Sequence, residues 1–141
     1  MSVSRPNIIN LPESFPIRKA QDFTKWIDLL LKLDLGKEEV SKESSNPRNS
    51  SRNISIEALS KAAPVLSGQL QQAVDSLQGI GIGRKVSRLG ENNFSLNIVS
   101  NSEIQMQQFS PDIEKLTLGI HDGKLTSVKV SREAITSYRY N

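Results

Sequence analysis

The chain has 141 residues, 18 basic and 15 acidic, for a formal charge of +3, with no cysteine and 36% apolar side chains. A chain of that length suits one domain, or a domain with an appended element, and folding at that size buries roughly 68–70% of the unfolded surface, so a real core is expected. The missing thiols exclude a disulfide scaffold, a thiolate nucleophile and a cysteine-type zinc site, and the mild basic excess falls short of the cationic field of non-specific DNA binders.

Residues 1–18 carry Pro6, Pro12 and Pro16 between Ile8, Ile9, Leu11, Phe15 and Ile17, the pattern of an extended arm that packs on something. This stretch lacks an apolar h-region, and the chain has no run of about 18 apolar residues, so a cytoplasmic protein without membrane contact is expected. The sequons at Asn49, Asn53 and Asn93 are then expected to stay unmodified.

A helix is predicted over 22–35, with Asp22 as its cap, Gly36 as its stop, and Phe23, Trp26, Ile27, Leu30 and Leu31 on one face. Leu29, Leu33 and Leu35 widen that stripe, which implies burial on two sides, either under the arm or the sheet or in a homodimer seam. Residues 36–53, GKEEVSKESSNPRNSSRN, hold one apolar side chain, Val40, and read as a mobile insertion.

Beyond it, Ser55 caps a short helix over 56–63, Pro64 interrupts, and Ser67 caps a helix over 68–78 whose Leu70, Ala73, Val74 and Leu77 share a face. Gly79 is placed as its left-handed C-terminal residue. One hairpin follows, in which Ile80, Ile82 and Val86 match Phe94, Leu96 and Ile98 around a turn at 90–93. Residues 100–113 read as a connector. A second hairpin sets Leu116, Leu118 and Ile120 against Thr126, Val128 and Val130. A regular two-residue Asp-Gly turn would put Val128 on the wrong face, so a three-residue loop pairing Leu116 with Val128 is expected. Residues 131–141 stay open between a short helix and an edge strand.

The stretch GIGIGRKVSRLG has its glycines after a helix, spaced G-x-G-x-G, which is the reverse of the strand-to-helix order of a dinucleotide site. It reads as a corner that places Arg84, Lys85 and Arg88 just beyond it. Short helix, break, second helix and basic hairpin form an order that resembles a winged helix-turn-helix domain over residues 22–99, with the 22–35 helix as the first of three. The resemblance implies an α+β fold of three helices followed by two antiparallel hairpins. The units are the arm 1–18, a domain over 19–99 with the insertion 36–53, and a C-terminal hairpin element over 100–141.

The resemblance also implies that helix 68–78 faces nucleic acid through Gln69, Gln72 and Ser76, with Asp75 beside them, while Arg84, Lys85 and Arg88 take phosphates. Glutamine suits adenine, but that helix carries no cation. The lone histidine, His121, sits beside Asp122 in a turn, and neither a nucleophile motif nor a metal-ligand spacing accompanies it. Tyr138 and Tyr140 around Arg139 suit either base stacking or a core strand. The expectation is a non-enzymatic, cofactor-free binding protein. It is read as a dimeric nucleic-acid-binding regulator, with a protein-interaction or assembly module working through helix 22–35 as the alternative.

Overall fold

The computed structural model describes Ile17 and residues 20–35, 49–83, 85–86, 94–109 and 112–134. The elements in chain order are α1 (Ala20–Lys32), β1 (Ser50–Ser55), α2 (Ile56–Ala62), α3 (Pro64–Gln78), β2 (Lys85–Val86), β3 (Phe94–Ser100), β4 (Glu103–Phe109), β5 (Ile113–His121) and β6 (Lys124–Glu133). The class is α+β, but the layout departs from three helices followed by two hairpins. β1 precedes α2, and the expected connector 100–113 contains β4, whose Ile104, Met106 and Gln108 point into the core. Alternation of apolar and polar residues over Ile104-Gln-Met-Gln-Gln is the strand signal there, and the glutamines mask it.

All six strands form one antiparallel sheet in the order β1-β6-β5-β4-β3-β2. Burial alternates along β3 to β6, so one face is core and the other is accessible to water. The three helices pack on the core face, with α1 against β6, β5 and β1, α2 against β6 and β1, and α3 against β6. In the core, Phe23 of α1 meets Phe94 of β3 edge-to-face with ring centroids 5.3 Å apart. β1 arises inside the stretch read as a mobile insertion. Ile54 is its one fully buried residue, and pairing with β6 supplies the order that composition alone does not. Residues 36–48 of that stretch, and the arm apart from buried Ile17, lie outside the described residues.

The β5–β6 hairpin corrects the expected register. Its turn has two residues, Asp122 and Gly123, both in the left-handed region at φ 51° and 78°, the type I′ arrangement. Gly119 then pairs with Ser127 while Ile120 pairs with Leu125, so Thr126 is an extra residue in β6. That bulge switches the parity of the strand and lets Leu125, Val128 and Val130 all face the core. Leu118 pairs with Val128 and Leu116 with Val130. A Cβ at Gly119 would come within 2.5 Å of Ser127 Oγ, so the bulge and the glycine opposite it belong together.

α1 runs from Ala20, so Asp22 lies in its first turn rather than at its cap, and it ends at Lys32. Arg52 on β1 donates to the Leu30 carbonyl at 2.7 Å and serves one of the last helical acceptors. Burial lowers the pKa of Arg52, against the attraction of Asp34. Leu31, Leu33 and Leu35 pack partly buried on the core, so the fold itself absorbs most of the apolar surplus of this helix. Ser55 caps α2 as expected, accepting from Ala58 N at 3.2 Å. α3 begins at Pro64, which occupies its first turn where a missing N–H costs nothing, so Ser67 is inside the helix and not its cap. Gly79 is right-handed at φ −76°, and the left-handed glycines come later, at Gly81 and Gly83. β2 pairs with β3 through Lys85–Asn97 and Val86–Leu96, while the turn at 90–93 lies outside the described residues. β1 and β2 stand at opposite edges of the sheet.

Among the described residues no helix is long and apolar enough to cross a membrane. Gly123→Ala is expected to lower stability by about 1 kcal/mol, because its φ disfavours a side chain, while Asp122→Asn leaves stability unchanged; urea denaturation measures both.

Candidate ligand-binding face

The strand registers build the water-facing side of the sheet row by row. One row runs Ser51, Ser131, Lys115, Gln107, Ser95 across β1, β6, β5, β4 and β3. The next runs Asn53, Lys129, Thr117, Gln105, Asn97 and ends at the β2 position of Lys85. Six strands about 4.8 Å apart make this second row about 24 Å long. Its described side chains are amides, hydroxyls and ammonium groups, all exposed or half-buried, and neither row contains a carboxylate.

At the centre of these rows, Lys115 faces Ser131 and Thr117 faces Lys129. The two lysines thus occupy one diagonal of a four-residue block and the two hydroxyls the other. Diagonal neighbours on adjacent strands lie roughly 7–8 Å apart, within reach of extended lysine stems. Carboxylates enter only in flanking rows. Glu103 pairs across from Gly119 and accepts the Gln105 amide at 2.6 Å, and Glu133 lies opposite Ile113.

Where they are described, the predicted site residues fall on different elements. Gln69 and Gln72 are exposed on α3, Asp75 is exposed beside them, and Ser76 is half-buried. Lys85 belongs to the far edge of the sheet, while Arg84 and Arg88 lie outside the described residues. Gln71, which the sequence did not single out, has a clear structural part. Its amide donates to the Gly123 carbonyl at 3.1 Å and accepts from Leu125 N at 2.8 Å, which ties α3 to the β5–β6 turn.

A second polar group lies inside the protein. Glu114 accepts from Thr24 Oγ1 at 3.0 Å, from Gln108 Nε2 at 3.0 Å, and from Arg132 through Nε at 3.0 Å and a terminal nitrogen at 2.7 Å. Thr24 in turn accepts from Gln108 at 2.7 Å, and Arg132 also meets Asp28 at 2.6 Å. Burial opposes the charge of Arg132, but the hydrogen bonds and attraction of Glu114 and Asp28 outweigh it and raise the pKa. The group knits α1 to β4, β5 and β6, and Arg132 also lines a cleft of ≈ 340 Å³ with Ser50, Ser51 and Ser131.

Other features carry less chemistry. A cleft of ≈ 370 Å³ has Ile98, Ile104 and Ile120 among its lining residues, with Gly81 and Asp122 also contributing. His121 and Asp122 approach to 3.5 Å, but both side chains are more than four-fifths exposed, so nothing holds them as a catalytic pair. Among the described residues no three His, Cys, Asp or Glu side chains are placed to hold a metal ion. Leu29 is 50% exposed beside a shallow groove between α1 and α3 that Trp26 and Leu66 line.

No family model matches the chain, and comparison with curated proteins and with solved structures found no match either.

Glu114→Ala is expected to cost about 3 kcal/mol, because it leaves Arg132 and Gln108 facing an emptied buried site. Asp28→Ala, at the half-exposed end of the same group, is expected to cost about 0.5 kcal/mol. Chemical denaturation of the two variants checks the ratio.

Proposed function

We propose that this chain is a non-enzymatic nucleic-acid-binding protein that contacts its ligand through the outer face of the sheet. The observation that carries the reading is the pair of carboxylate-free rows crossing the sheet, with Lys115 and Lys129 set diagonally between Ser131 and Thr117. Ammonium and hydroxyl groups in that spacing suit phosphate oxygens, and Gln105, Gln107, Asn97 and Asn53 beside them suit base edges. Lys85 extends the second row by one register position.

The winged-helix resemblance points to α3 instead, and that helix suits the task less well. Its outward side offers Gln69 and Gln72 but also Asp75, and it has no lysine or arginine to meet a phosphate. The alternative of assembly through α1 rests on a narrow base, because Leu31, Leu33 and Leu35 already pack on the core and Leu29 is the leucine of this helix left half in water.

Fluorescence anisotropy with short labelled oligonucleotides at low ionic strength tests the reading. Lys115→Gln with Lys129→Gln is expected to weaken binding about tenfold, and Gln69→Ala with Gln72→Ala to leave it unchanged. Binding that ignores the lysines, or its absence for every oligonucleotide, defeats the reading.

A further inference from the structure

We infer that the nucleic acid this face takes is single-stranded and not duplex, an inference that rests on the reading above and names the ligand class of the same site. Shape is the first ground. All three helices pack on the opposite side of the sheet, and the outer rows carry short side chains, among them Ser51, Asn53, Ser95, Asn97, Thr117 and Ser131. Gly119 leaves a further low point in the next row, between Ser127 and Glu103. Base readout in the major groove of a duplex, about 12 Å wide, admits a narrow ridge such as a helix or a two-stranded ribbon. A row about 24 Å long on a six-stranded sheet cannot enter it.

Chemistry is the second ground. Gln107 stands next to Lys115 in one row, and Gln105 and Asn97 follow Thr117 in the other. These amides can also pair with Watson–Crick edges, which a single strand leaves free and a duplex covers by pairing. The central block of Lys115, Ser131, Thr117 and Lys129 seats one stretch of phosphate backbone while the amide columns on β4 and β3 meet the bases. Aromatic platforms are sparse. Phe109, at the end of β4 opposite Ile113, is the aromatic side chain exposed beyond these rows among the described residues. Among the described residues the two rows therefore offer backbone charge and hydrogen bonds, and no aromatic platform of the kind that contributes about 1–3 kcal/mol per base.

Competition against a labelled single strand, using the unlabelled strand and a blunt duplex of the same sequence, tests this with the full chain. The single strand is expected to compete at least about tenfold better than the duplex, with a salt slope of about −1.4, the value for two phosphates neutralised on a single strand. Lys115→Gln with Lys129→Gln should flatten that slope. Gln105→Ala with Gln107→Ala should weaken binding and leave the slope as it was. A duplex that competes as well as the strand, or better, overturns the inference and leaves nucleic-acid binding standing. Failure of both to bind removes the underlying reading as well.

Discussion

A single buried carboxylate sets how the helical layer sits on the sheet. Glu114 is 2% exposed, and a charge at that depth is tolerable only when its oxygens are filled by good donors. Those donors come from three elements: Thr24 on α1, Gln108 on β4, and the guanidinium of Arg132 on β6, converging on Glu114 of β5. Arg132 then reaches back to Asp28, one turn along α1 from Thr24. Moving α1 along its axis by one residue would break two of these links together, so the register of helix against sheet is held by geometry that apolar packing alone leaves loose. The arrangement is complete at the carboxylate and not at Gln108, whose Oε1 has no partner among the described residues. The amide orientation follows from Glu114 and Thr24, which both need its N–H groups.

That anchoring has a consequence for the two sides of the sheet. Every described helix packs on the core face, and among the described residues the opposite face presents rows of hydroxyl, amide and ammonium groups to solvent. An antiparallel sheet covered on one side keeps strict alternation along each strand, and a single extra residue would invert it. The bulge at Thr126 is where this chain meets that constraint. Without it, Val128 and Val130 would emerge beside Thr117 and Lys115 on the polar face, and Lys129 would turn into the core opposite Leu116.

The helical half of the fold was legible because its signals are local. Ser55 as a cap, Pro64 as a break and the face of Leu70, Ala73, Val74 and Leu77 depend on neighbours within a turn or two. β1 was not legible, since SSRNIS has almost nothing to bury and gains its order from pairing with β6. β4 was missed because its alternation runs through glutamines. The register of the β5–β6 hairpin differs for another reason: the valine parity conflicts with a two-residue turn, which points to a longer loop, whereas the chain keeps the short turn and restores parity with a bulge. The candidate site was the least legible part. Its rows are assembled from five or six strands, and no window of sequence brings Lys115, Lys129, Gln105 and Asn53 together.

The pairing of β1 with β6 joins residues 50–55 to residues 127–132 and skips over every other strand. Contacts of such wide separation carry a heavy loop-closure penalty before they return any stabilisation, so this edge belongs to the late steps of folding. During synthesis β1, α2 and α3 leave the ribosome long before β6 exists. The nascent chain therefore holds an amphipathic helical segment with its intended cover still unmade, and the sheet gains its β1 edge only after β6 has emerged.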